Sequence, residues 1–441
     1  MSTKTKQTGT IIVMIALLSM IAFVTHLCSP MSVIVKNQFG ASNFLSQIGN
    51  YGNFIAYLIM GVPSGLLIKR FGYKKTALIA LATGIAGILI QWASGRLGFA
   101  VYLVGAFVSG FCMCMLNTVV NPMLNILGGG GNKGNQLIQV GNVFNSAAAI
   151  AIYILMGALI ADVTKAKISD ATPALLIALA IFVIGFIVLL CTKIQEPDGN
   201  KGKTSLEVSY DGKKDKQKTS DKYSAFSFRH FKLGLIAIFL YGGIEIGIPT
   251  YLLQYLTSSP ADITPGLGMS ASVAGLIVAV YWLMMLVGRF IGGAIGGKVS
   301  VKNMIAFVSL LAVVLVLFGI LLPSDIQVGI VGIDWANLST VSVKVPVGVF
   351  ILVITGLCSS VMWGGIFNLA TEGLGRYTAV ASGAFMTMVC GFAVMVALQG
   401  WIADITHSYM TSYLVVILCA VYILWYSVTG SRNVNKNIPV E

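Results

Sequence analysis

One carboxylate, Glu245, lies well inside an apolar stretch of this 441-residue chain, in Tyr241-Gly242-Gly243-Ile244-Glu245 and shortly before Pro249, Tyr251 and Gln254. At membrane depth a carboxyl group can take up and release a proton or stay charged beside a cation, so Glu245 is a candidate for ion coupling. The plainer alternative is a fixed, neutral Glu bonded to a ligand hydroxyl or a neighbouring helix. His26, just before Pro30, is a second titratable group in an apolar stretch, where a lone histidine equally serves as a structural hydrogen-bond partner. Before Asp162 the chain has no Asp or Glu at all, which leaves its first helices without a carboxylate for coupling.

Amides supply a second kind of chemistry. Asn117, Asn121 and Asn125 recur every four residues, and Gln139, Asn142 and Asn145 every three, so each set lines one face of a helix. An amide both donates and accepts, as a sugar hydroxyl does, and two such stripes suit a neutral polyhydroxylated ligand. The same amides also work as glue between helices. Trp282, Trp363 and Trp401 offer faces on which a pyranose ring stacks, or they pack in the core and at the bilayer interface. No acid pair, metal-ligand cluster or nucleophile with its base lies at depth, so neither an enzyme nor a bound metal or cofactor is expected. Gly128-Gly129-Gly130-Gly131-Asn132-Lys133-Gly134 resembles a phosphate cradle, but no Gly-Lys-Ser/Thr follows it, and it is expected to be a turn. The seven cysteines fall in apolar stretches and are expected to pack there.

The elements that must position these groups are apolar helices. Hydrophobic residues make up 57% of the chain and charged residues 10%, against about 25% charged in a soluble domain. Apolar stretches of about 20 residues recur throughout, and in lipid only a helix satisfies its own backbone at that length. The spans are predicted at 9–38, 44–68, 75–94, 98–127, 136–162, 171–192, 232–258, 268–297, 302–323, 346–371, 376–405 and 410–430, with loop elsewhere. This is an all-α membrane protein of about twelve transmembrane helices in two six-helix bundles, 1–192 and 232–441, joined by a polar connection, 193–231. The stretch from Ile11 is a spanning helix rather than a cleaved signal. A net charge of +13 suggests nucleic acid, but its distribution argues for topology. With the amino terminus inside, the outer loops hold only Lys36, Arg96, Lys165, Lys167 and Lys344 of the 28 basic residues, which puts both termini in the cytoplasm of an inner-membrane protein. Asn337-Leu338-Ser339 on an outer loop is a glycosylation sequon, relevant only in a secretory pathway. Gly61, Gly65, Ile68 and Lys75 match Gly288, Gly292, Ile295 and Lys302 at a constant offset, a weak repeat where parallel halves should match.

The segment Gly65-Leu66-Leu67-Ile68-Lys69-Arg70-Phe71-Gly72-Tyr73-Lys74-Lys75 resembles the loop between the second and third helices that marks the major facilitator superfamily. Lys69 stands where most members have an acid, a departure shared by the fucose/galactose/glucose symporter family. Asn121-Pro122 with the Gly-rich turn, and Asn142-Val143-Phe144-Asn145-Ser146, resemble that family's fourth and fifth helices. Trp363-Gly364-Gly365-Ile366-Phe367 and Glu372-Gly373-Leu374-Gly375 resemble its tenth, so the likeness spans most of the chain. The resemblance implies a two-bundle fold that alternates access to a central hexose site, driven by a cation gradient. The family's proton symporters have an acid in the first helix, absent from Met31 to Val35 here, and a Glu where this chain has Asn117. Glu245 occupies a place where some relatives have Gln. Coupling has therefore moved to Glu245, uses sodium, or is absent.

The expected protein is a secondary active transporter, importing a neutral hexose-type sugar as a proton or sodium symporter. It is expected to be a monomer in the bilayer, with no nucleic-acid partner. The sugar contacts are expected to be Asn117, Asn121, Gln139, Asn142, Asn145, Glu245, Gln254, Trp363 and Asn368, with Glu245 and His26 in coupling. Gating is expected of Gly65, Lys69, Arg70, Gly72, Arg289 and Arg376, the cations meeting helix C-termini on the cytoplasmic side. Alternatives are an exporter or uniporter of another small polar metabolite, and a non-transporting membrane sugar sensor.

Overall fold

The computed structural model describes residues 3–39, 43–159, 167–192, 194, 223–269, 271–334, 339–435 and 437–440. Most of the connection 193–231, together with Asn337 and Leu338 of the sequon and the side chains of Cys28, Pro30 and positions 32–35, lies outside the described residues.

Helix α1 (Thr3–Phe39) makes the first crossing. The 55 residues of α2 (Asn43–Leu97) amount to about 80 Å of helix, more than twice a hydrocarbon core of about 30 Å. They form two crossings because α2 turns back at Gly72, whose φ of 82° and ψ of 173° suit a residue without a Cβ. Its two arms pack on one stretch of the chain: Asn53 and Ala56 of one meet Gly110, and Gly87 of the other meets Ser109. Helices α3 (Phe99–Leu127), α4 (Gly131–Leu159) and α5 (Thr172–Cys191) complete the first six crossings.

In the second half, α6 (Arg229–Glu245) and α7 (Gly247–Thr257) share the seventh crossing, followed by α8 (Ala271–Ile295) and α9 (Val301–Leu321). The tenth is α10 (Val347–Ile354), α11 (Gly356–Ser359) and α12 (Met362–Thr371). The eleventh is α13 (Thr378–Thr387) with α14 (Gly391–Thr406), and the last is α15 (Tyr409–Ser412) with α16 (Leu414–Trp425). Helix ends agree with the predicted spans to within several residues, and the even number of crossings among the described residues puts Thr3 and Val440 on one face, here called the termini face.

One expectation is corrected. The segment between the ninth and tenth crossings is not all loop: β1 (Gln327–Asp334) pairs antiparallel with β2 (Ser339–Pro346), from Gln327 opposite Pro346 to Asp334 opposite Ser339. Val341, Val343 and Val345 alternate with polar residues, the pattern of a strand with one apolar side. Gly332 brings the hairpin onto Val273 of α8.

Toward the termini face the halves meet along two seams. In one, Gly61 and Gly65 of α2 face Thr387, Ala379 and Gly383 of α13. In the other, Gln136 of α4 donates to the Gly293 carbonyl of α8 at 2.9 Å. The repeated glycines therefore differ in use, since Gly288 and Gly292 mainly admit Ser360 and Val361 of their own half.

A Cβ at Gly65 would lie 2.7 Å from the Ala379 carbonyl oxygen, so bulk there must push α2 off α13. Gly65→Val should cost about 1–3 kcal/mol of stability, and Gly65→Ala less. Melting of the purified protein in detergent checks this; a valine variant that melts like wild type contradicts the close seam.

Candidate functional site

Glu245 ends α6 because of Pro249. Proline has no N–H, so the Glu245 carbonyl loses its helical donor and the seventh crossing breaks between α6 and α7. The Tyr281 hydroxyl of α8 repairs the break, donating toward the carbonyls of Ile244 and Glu245, each at 3.3 Å. Tyr281 in turn lies 3.0 Å from Ser359 Oγ, and Tyr241 donates to the Ser359 carbonyl at 3.0 Å, so α11 braces the same point.

So held, Glu245 Oε1 faces Arg289 Nη2 of α8 at 3.4 Å, with the two side chains only 13% and 7% exposed. The other arm of the guanidinium crosses to the first half. Arg289 Nη1 donates to Ser146 Oγ at 2.6 Å, Asn145 Oδ1 at 3.2 Å and the Asn142 carbonyl at 3.4 Å, all on α4. Asn145 Nδ2 donates to the Leu18 carbonyl of α1 at 2.9 Å. A charge at this depth is tolerated when oxygens surround it, and Arg289 draws them from both halves. Its expected place at a helix C-terminus is thereby corrected.

Beside the pair is a cavity of about 20 Å³, lined by His26, Asn145, Ser146, Glu245, Trp282 and Arg289, the size of about one water. The His26 ring meets the Trp282 ring edge-on, centroids 5.1 Å apart. Trp363 belongs to an aromatic cluster with Tyr241, Phe385 and Phe392, at centroid distances of 6.3, 5.9 and 6.1 Å. Phe392 reaches Phe54 of α2 at 5.4 Å, so this cluster also touches both halves.

Other sequence candidates lie elsewhere. Asn117 Nδ2 donates to the Tyr57 hydroxyl at 2.9 Å and the Met113 carbonyl at 3.2 Å, and Asn121 Nδ2 to the Asn117 carbonyl at 3.0 Å. Asn117 and Asn121 of the α3 stripe thus bond within the first half, while Asn125, at its end, and Gln139 and Asn145 of α4 meet the second. Asn368 Nδ2 donates to the Gly131 carbonyl at 2.9 Å and Asn125 Oδ1 at 3.3 Å, tying the halves at the termini face. Gln254 is exposed on α7 and does not line the cavity beside the pair. Lys69 and Arg70 are exposed near the Gly72 break, with Arg70 over the Phe71 ring at 5.1 Å. The helix C-terminus role expected of them falls to Lys74, whose Nζ donates to the Leu190 and Thr192 carbonyls at the end of α5, at 2.9 and 2.7 Å. Arg376 lies over the Tyr377 ring, and its backbone N–H donates to the Val440 carbonyl at 3.0 Å. Sequence reasoning missed Ser146, although it continues the Gln139 and Asn142 face, and it missed the tie between Arg289 and Glu245, although an arginine inside an apolar span calls for a partner.

This architecture has counterparts among known proteins. The chain is 28% identical over 419 residues to a glucose/galactose transporter of Brucella abortus, covering 93% of this chain and 91% of that one. It is 20% identical to the L-fucose-proton symporter of Escherichia coli, covering 94% and 92% of the two. Its fold is similar to that of the transporter FucP solved in the outward conformation, with a TM-score of 0.76 at 19% identity, covering 96% of this chain and 99% of that one. The model of the Major Facilitator Superfamily matches residues 11–396, and the chain belongs to that family.

Proposed function

We propose that this chain imports a neutral hexose-type sugar across the cytoplasmic membrane by alternating access, as a monomeric cation symporter with both termini in the cytoplasm. The observation that carries the proposal is the guanidinium of Arg289, held by Glu245 in one half and by Asn145 and Ser146 in the other. Relatives named for glucose, galactose and L-fucose support the substrate class, and the basic residues, nearly all off the outer loops, support the orientation. The two bundles, 1–192 and 232–441, act as the moving units, with 193–231 as their tether.

Sugar hydroxyls compete with Arg289 for Asn145 and Ser146 and bond to Gln139 and Asn142 on the same helix, while Trp363 offers a ring face. A proton or sodium ion competes with Arg289 for Glu245. Either ligand alone removes one anchor of the guanidinium; both together free the seam between α4 and α8, and the halves rock. His26 lines the same cavity as Glu245, which supports a role in passing a proton toward the carboxylate.

Uptake by proteoliposomes of a panel of labelled hexoses, under proton and sodium gradients in turn, tests the function. Wild type should accumulate at least one hexose, and Glu245→Gln should exchange that hexose without accumulating it. No uptake of any sugar overturns the substrate class; full accumulation by the Gln variant removes Glu245 from coupling. Stability tests the ion pair separately. Arg289→Met leaves a buried carboxylate unpaired and should cost about 3–5 kcal/mol, most of it recovered when Glu245→Gln is added. Melting that falls additively in the double variant argues against direct pairing.

A further inference from the structure

The polar face of α4 continues past the proposed sugar contacts toward the termini face. Asn135, Gln139, Asn142 and Ser146 stand at i, i+4, i+7 and i+11, a single helical face. Asn135 is 0% exposed, and neither its Nδ2 nor its Oδ1 has a hydrogen-bond partner among the described residues. Gln139 Nε2 donates to the Val361 carbonyl at 3.1 Å, while Gln139 Oε1 and Asn142 Nδ2 have no partner among the described residues. A buried polar atom left unpaired destabilises the fold, and a leucine at Asn135 would avoid that cost. With the seam shut, this amide only destabilises.

The tenth crossing covers these amides. A Cβ at Gly364 would lie 2.8 Å from Gln139 Nε2 and 3.5 Å from Asn135 Oδ1, so the backbone of α12 presses on both. Space lies on either side of this contact. One turn back on α4 from Asn135 is Gly131, and one turn on from Gly364 is Asn368; both line a cavity of about 210 Å³ at the termini face, with Asn125, Thr371 and Glu372. In the other direction, past Asn142, is the small cavity at Glu245 and Arg289. Asn135 and Gln139 thus occupy the narrow point between the ion pair and the termini face.

We propose that Asn135, with Gln139, forms a hydroxyl-binding subsite for a neutral polyhydroxylated solute on its way out of the central site. When α12 moves off α4, the unpaired donor and acceptor of Asn135 meet hydroxyl groups of the departing solute and lower the barrier between the two cavities. This rests on the sugar-transport proposal above.

The test is initial-rate uptake of the transported hexose by Asn135→Leu and Asn135→Ser in proteoliposomes, with melting of each purified variant alongside. The leucine variant should keep KM within about twofold, lose about fivefold or more of Vmax, and melt at or above the wild-type temperature; serine, which keeps one hydroxyl, should lose less. Wild-type Vmax in the leucine variant, or a serine variant that loses as much as leucine, overturns the subsite. So does a Vmax loss that tracks a lowered melting temperature in both, which makes Asn135 structural. A wild type that moves no hexose overturns the transport proposal and the subsite with it, so the wild-type trace tells the two failures apart.

Discussion

A guanidinium cannot shed its charge, so Arg289, inside an apolar span, obliges the structure to bring oxygens to it. Much of the surrounding architecture meets that demand. Pro249 breaks the seventh crossing where Glu245 must present its carboxylate, and Tyr281 and Ser359 hold the break. On the opposite half, α4 aligns Asn142, Asn145 and Ser146 on the side that α8 approaches. At that approach Gly293 packs against Val140, where a Cβ would come within 3.3 Å of the valine side chain. Removing either partner of a buried pair leaves the other uncompensated, so Glu245 and Arg289 make sense only together.

Alternating access needs two arrangements of the halves that differ by a few kcal/mol. The contacts between halves suit that requirement. They include hydrogen bonds, such as Gln136 to Gly293 and Asn368 to Gly131, close glycine contacts such as Gly65 against Gly383, and the ring contact of Phe54 with Phe392. Each hydrogen bond is worth little net, because water can take its place when the seam opens. The ion pair differs because, in the cycle proposed above, a cation and a sugar hydroxyl would compete for its partners directly. Coupling between the two ligands would then need no long pathway, since both would act on one side chain.

Much of this was legible in the sequence. The spans followed from apolar stretches, and the turn at Gly72 from the motif around it. Glu245 stood out as a carboxylate at depth. What the sequence hid was pairing in space. Two amide stripes look alike by spacing, yet Asn117 and Asn121 bond within the first half while Asn142 and Asn145 face the second; only the rotation of α3 and α4 decides between them. Arg289 was placed at a helix end because cations are favoured there, but desolvation makes a specific carboxylate partner the stronger demand. The hairpin escaped because eight-residue strands carry little periodic signal beside spans of 20 residues or more.

In the proposed cycle one sugar and one cation act on the same guanidinium. The current evoked when a transported hexose is added to wild-type proteoliposomes, with no ion gradient imposed, measures whether they move together. Sugar and cation moving together give a transient positive inward current that disappears in Glu245→Gln. Sugar movement with no current and no change of internal pH or sodium in wild type would contradict it.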